Sequence, residues 1–192
     1  MKRHQNILLL YALIISLTAC KPDPKEIQID NPTENPITVK FDQTDEMTIL
    51  PGEVKTISLI FGKENLLVNR DKKYEILLDN KKDYLLNPSL ETYYIQTIAY
   101  GTYQGMKHYR NNYGDPKSEV YGMTVEGDFK EIKSKLILEK NWDFSSTETP
   151  YGSIQKTSAD EYILVKKLHR GSDLMKKFYE ELLKFKEELN KK

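Results

Sequence analysis

Only one cysteine, Cys20, occurs among the 192 residues, so no disulfide can close within a molecule and stability has to come from packing. Net charge is missing too, with 29 Lys and Arg against 29 Asp and Glu. Nucleic acids and anionic membrane surfaces select a clustered excess of basic side chains, so neither is expected as a dedicated partner. Histidine is scarce: of three, His4 lies at the extreme N-terminus, leaving His108 and His169 for any chemistry in the body. There is no His-x-x-x-His pair, cysteine cluster, EF-hand loop, Walker loop, G-x-G-x-x-G turn or G-x-S-x-G elbow. Zinc, calcium and nucleotide lose support together, and no cofactor, metal site or catalytic residue is expected. Scattered Asp and Glu would still allow a carboxylate pair to meet in space, as a hydrolase acting on glycans or peptides requires. No apolar run reaches the roughly 20 residues that a membrane-spanning helix needs. No tandem repeat is visible, which disfavours a solenoid or propeller.

The longest apolar run that is present, Ile7 to Ala19, follows Lys2 and Arg3 and leads directly into Leu17-Thr18-Ala19-Cys20. A positive n-region, a short h-region and a cysteine at the cleavage position resemble the signal of bacterial lipoproteins, whose lipobox ends on the cysteine. An ordinary secretory signal with an Ala-x-Ala-like site is the alternative. The resemblance implies that residues 1–19 are a cleaved signal peptide and that Cys20 carries a diacylglyceryl group with an acylated amino group. The protein would then meet its membrane through lipid on Cys20. Each buried CH₂ contributes about 0.8 kcal/mol and one acyl chain binds only marginally, so two or three chains are needed for lasting anchorage. With Lys2 and Arg3 removed, 27 basic residues face 29 acidic ones, a formal charge of −2. Lys21-Pro22-Asp23-Pro24-Lys25-Glu26 completes an anchor and tether over residues 20–26, its prolines keeping it extended. Lys21, where inner-membrane lipoproteins carry Asp, implies the outer membrane if the cell is Gram-negative.

Beyond the tether the pattern is mainly β. Ile27, Ile29, Ile37, Val39 and Phe41 fall on a period of two, and Asn31–Pro36 and Leu50-Pro51-Gly52-Glu53 supply turns. Val54, Ile57, Leu59 and Phe61, then Leu66–Val68, Tyr74–Leu78 and Tyr84–Leu86, continue the series. Together they predict a small β-sandwich module over residues 26–90. A second mainly β module is expected over 91–171. It would contain a strand over Thr92–Tyr100, an exposed Tyr-rich loop from Thr102 to Pro116 and a return strand over Glu119–Val125. Further strands are expected over Lys135–Asp143, Ser153–Thr157 and Tyr162–Leu168. Phe129, Ile132, Leu136 and Ile137 have helical spacing, but a buried strand over 135–143 is preferred.

The C-terminal segment predicts an amphipathic helix over 172–190. Gly171 breaks the chain, Ser172 is placed to cap, and Met175, Phe178, Leu182, Phe185 and Leu189 alternate spacings of three and four on one face. Two heptads fall short of the three or four usual in a coiled coil, so docking onto the sheet is the preferred arrangement and self-association through this helix the alternative.

The elements Asp30-Asn31-Pro32-Thr33, Leu50-Pro51-Gly52-Glu53, Leu86-Asn87-Pro88-Ser89 with Tyr93, and Glu139-Lys140-Asn141-Trp142-Asp143-Phe144 resemble recurring features of a group of bacterial envelope proteins with no assigned activity. That resemblance implies shared architecture and no function. The candidate functional residues are aromatic: seven of the thirteen tyrosines fall between Tyr93 and Tyr121. Flat rings with polar tips suit recognition of a protein or a sugar. Tyr103, Tyr109, Arg110 and Tyr113 are the expected contacts with an envelope protein or glycan, whereas Tyr93, Tyr94, Tyr100 and Tyr121 suit cross-strand packing. A binding or scaffolding role in the cell envelope is the expectation, with a hydrolase or an inhibitor or immunity-type lipoprotein as alternatives.

Overall fold

The computed structural model describes residues 23–150 and 161–190. Cys20 and the strand expected over Ser153–Thr157 lie outside the described residues.

The chain is mainly β and ends in a helix, as the alternation predicts. In β1 (Lys25–Asp30) Ile27 and Ile29 turn inward while Glu26 and Gln28 turn out. This strand pairs antiparallel with β4 (Val54–Leu59) and parallel with β7 (Tyr84–Leu86). The edge of that sheet is completed by β12 (Ile137–Glu139), from the second half of the chain, on β7. A second four-stranded sheet runs β3 (Met47–Ile49), β2 (Ile37–Phe41), β5 (Lys63–Val68), β6 (Lys72–Leu77). Ile27, Ile29, Val39, Phe41, Leu66 and Leu86 form the heart of the core between the two.

Period-two alternation also gives the first sheet a second apolar face. Leu85 and Leu138 point away from the sandwich and pack on Tyr93, Ile95, Trp142 and Leu168. Those residues belong largely to a third sheet, ordered β11 (Asp128–Ile132), β8 (Tyr93–Gly101), β13 (Tyr162–Arg170). Its opposite face carries Tyr94, which joins Val120, Leu174, Phe129 and Phe178 in a smaller cluster. The cover on that side is a hairpin, β9 (Lys117–Val120) and β10 (Met123–Glu126), together with α2 (Gly171–Leu189). Before the hairpin, α1 (Tyr103–Tyr113) follows directly on β8.

Two asparagines, each followed by proline, are buried pins. Asn31 Nδ2 donates to the carbonyls of Asn35 at 2.8 Å and Ile49 at 3.0 Å, while its Oδ1 accepts from the Thr33 amide and hydroxyl. Asn87, at the end of the parallel neighbour strand, repeats the device: Nδ2 donates to Glu91 and Lys135 carbonyls, and Oδ1 accepts from Ser89. Asn31 closes an Asx turn on the Thr33 amide, Asn87 binds the Ser89 hydroxyl instead, and each holds a distant segment, satisfying backbone carbonyls that burial would otherwise leave unpaired. Beside Asn31, Asp30 is fully buried and forms a bidentate pair with Arg170 at 2.5 and 3.0 Å, and accepts from the Tyr93 hydroxyl at 2.7 Å. Arg170 also donates to the Gly52 carbonyl at 2.9 Å. Burial and the adjoining carboxylate hold the Tyr93 phenol protonated far above its usual range.

Several expectations are corrected. Thr102–Pro116 is not a loop but contains α1, capped by Thr102 Oγ1 accepting the Gly105 N–H at 3.1 Å. It buries only Gly105, so no apolar stripe marked it in the sequence. The return strand over Glu119–Val125 is a hairpin broken at Tyr121-Gly122, both at positive φ as a two-residue type I′ turn requires. The strand over Lys135–Asp143 shrinks to Ile137–Glu139, and Asp128–Ile132, with its helix-like spacing, is a strand. Ser172 does not cap α2: Arg170 holds the N-cap position without a side-chain bond, because β13 runs straight into the helix and its guanidinium is committed to Asp30. Docking of α2 is limited to its first turns, where Leu174 is buried and Phe178 half-buried; every residue from Tyr179 to Asn190 is exposed.

Candidate functional site

Strands β8 and β13 pair along all nine residues, but β11 reaches only to the Asp128–Thr97 pair. The distal parts, Ile98–Gly101 and Tyr162–Val165, therefore continue past the third strand as a two-stranded ribbon, with Ile163 and Leu164 exposed. α1 sits at its end. A Cβ on Gly105 would lie 2.1 Å from the Glu161 carbonyl oxygen, so this close seat of helix on ribbon exists only with glycine there.

The seat is completed by aromatic packing. Tyr109 and Tyr113 stack at 5.3 Å between centroids, and Tyr162 meets Tyr109 edge-on at 5.4 Å. A hydrogen bond with Tyr113 is the main cause that raises the Tyr162 phenol above its ordinary pKa. Tyr109 is thus a half-buried packing residue. Tyr103 is 83% exposed and Tyr113 61%. Tyr103, Lys107 and Arg110, spaced four and three apart, share the outward face of α1. With Gly101, Met106 and Asn111 they border a hollow of about 400 Å³. No acidic residue stands within α1, and the nearest countercharge to Arg110 is Asp115 at 3.8 Å. The predicted residues Tyr103, Tyr109, Arg110 and Tyr113 are brought together on one helix, in two roles: Tyr109 and Tyr113 build the platform, Tyr103 and Arg110 face out. Lys107 and Tyr162 were missed, the first for want of an expected helix, the second because a distant strand brings it in.

A larger cleft, about 480 Å³, lies over the uncovered part of the first sheet, lined by Gln28, Thr56, Asp83, Tyr84, Lys140 and Trp142 among others. Asp83 is engaged by Lys25 at 2.8 Å, which holds its carboxyl below the usual range. The pairing favours the ionised form of a carboxylate that is 60% exposed.

Comparison with protein-family models, curated proteins and solved structures finds no match to this chain.

The histidines differ sharply. His108 is on α1, in an exposed position, while His169 lies within the third sheet, its Nε2 2.9 Å from Gln96 Oε1 and its ring near Phe129. Burial first, then Lys167 and Lys177, push the His169 pKa down to about 4, so at neutral pH it is an uncharged packing group. Among the described residues, no cluster of His, Cys, Asp and Glu is arranged to hold a metal ion, and no helix is long and apolar enough to cross a membrane.

Proposed function

We propose that this chain is a lipid-anchored bacterial envelope protein that binds a partner of negative surface charge through the outward face of α1. The observation that carries the reading is the union of Tyr103, Lys107 and Arg110 on one exposed, acid-free helix face at the end of a ribbon. Aromatic rings and arginine are the side chains that most often supply binding energy at interfaces, and a rigid seat keeps the ordering cost low. Tyr109, Tyr113 and Tyr162 provide that seat. Anchorage rests on Leu17-Thr18-Ala19-Cys20 behind its short apolar run; Lys25 and Glu26, expected in the tether, belong to β1, which leaves residues 20–24 to space the folded body from the bilayer. The partner class is an acidic protein surface or a carboxylate-bearing envelope glycan.

Two measurements test this in intact cells. Labelled palmitate should appear on the wild-type chain and disappear with Cys20→Ser; labelling that persists removes the anchor. A photo-cross-linker replacing Tyr103 should trap one discrete species. Lys107→Glu with Arg110→Glu should weaken that trapping at least tenfold, while His108→Ala leaves it intact. Equal trapping from Lys133, far along the chain in another loop, or indifference to the charge reversal, overturns the assignment of the face.

A further inference from the structure

α2 runs on past the body with its apolar side uncovered. Leu182, Phe185 and Leu189 are 62%, 60% and 55% exposed, and they continue the three-four spacing begun by Met175 and Phe178. In heptad terms Met175, Leu182 and Leu189 are a positions and Phe178 and Phe185 are d positions. Leu183 falls outside this seam. Two charge patterns decide what covers it. Over its length the helix carries Lys176, Lys177, Lys184 and Lys186 against Asp173, Glu180, Glu181, Glu187 and Glu188. With Lys191 and Lys192, which follow in the sequence, six basic residues face five acidic ones, a mixed balance without the clustered basic excess that an anionic bilayer attracts. The flanks of the seam, by contrast, complement one another. Tyr179 and Lys186 occupy e positions, Glu181 and Glu188 g positions. When two copies run parallel, g of one helix lies beside the following e of the other, so Glu181 meets Lys186 twice across the two-fold axis. In the antiparallel arrangement g faces g, and Glu181 meets Glu188 with like charge.

We propose that α2 pairs with α2 of a second copy of this chain, in parallel and about a two-fold axis, along Tyr179–Leu189. The exposed span rises only about 1.5 Å per residue and buries less than the roughly 800 Å² per partner of a standard interface, so the pair is reversible. The pairing goes beyond the binding role of α1 and does not depend on it.

Trapping tests it on the full chain in bacterial membranes. Oxidation with copper phenanthroline should link Leu182→Cys into a disulfide dimer several-fold more than Lys184→Cys, which sits on the outer face; Cys20 is common to both and sets the background. Glu181→Lys or Lys186→Glu alone should cut the Leu182→Cys dimer several-fold, and the two together should restore it. All these side chains are exposed, and circular dichroism checks that the fold is kept. Equal yields from positions 182 and 184 overturn the proposal, as does charge reversal without rescue. So does linkage of Leu182→Cys only to copies carrying Phe185→Cys, the antiparallel outcome. Protection of the position-182 thiol by phosphatidylglycerol vesicles without dimer formation overturns it in favour of a membrane.

Discussion

Asp30 and Arg170 are 140 residues apart in sequence, yet their pair is buried to 0% and 9% side-chain exposure and bound to Tyr93 and Gly52. Removing one partner strands the other charge out of water, which costs about 3–5 kcal/mol. Asp30→Ala should therefore lower the urea midpoint severely, and Asp30→Leu with Arg170→Met should regain part of the loss, since an apolar pair leaves no orphaned ion. A double mutant no better than Asp30→Ala would show that packing, not charge, is lost. His169 acts through pH. Its folded pKa of about 4 lies below the ordinary 6.5, so the unfolded chain binds the proton more readily. Its contribution is complete above pH 6.5 and falls away as pH drops toward 4. Allowing for solvent screening at a half-buried site, the change is about 1–2 kcal/mol. Denaturation of His169→Gln between pH 7 and 4.5 should show a correspondingly shallower decline, and a decline parallel to the wild type refutes the assignment. The Asp30–Arg170 pair was not legible in the sequence, because a charge at a strand end carries no local mark of the partner the fold brings to it; the place of His169 just before the helix suggested a structural role, but not Gln96 and Phe129 as its neighbours.

At the scale of elements, legibility followed the number of side chains each element buries. Strands with alternating apolar residues, such as Ile27 and Ile29 or Leu66 and Val68, were readable because one face meets a core. α1 was not, since it buries only a glycine. The three-four pattern of α2 revealed a helix but not its cover, because amphipathicity says that an apolar stripe exists and nothing about what lies on it. The direction of α2 is set at Gly171. A Cβ there would lie 2.1 Å from the Tyr121 hydroxyl and 2.7 Å from the Thr92 carbonyl oxygen. Tyr121 cannot easily retreat: it sits at φ 50° in the hairpin turn with its ring against Tyr94 at 5.6 Å. Gly171→Ala should cost about 1–3 kcal/mol by overpacking. Faster hydrogen exchange at the start of α2 and in the β9–β10 hairpin, with β2 and β5 unchanged, would locate the damage. Uniform loss of protection across all strands would contradict this local account.

At the scale of the whole molecule, the sequence suggested two successive modules, and the contacts interlock them. β12 closes the edge of β7, Lys135 supplies a carbonyl to Asn87, and Arg170 reaches back to Asp30. Leu85 and Leu138 are covered only because Tyr93, Ile95 and Leu168 lie over them. Chain ended near residue 90 would expose that apolar face and leave the β7 edge without its partner, so the sandwich loses support exerted from both sides. The only tryptophan, Trp142, is buried within this junction between sheets and reports on it directly. Unfolding in urea should give the same midpoint from Trp142 fluorescence and from far-ultraviolet circular dichroism, the mark of one cooperative unit. A fluorescence transition at distinctly lower urea would mean that the third sheet peels away while the sandwich persists. In that event a chain ending at residue 90 should fold by itself, whereas a single transition requires that it does not.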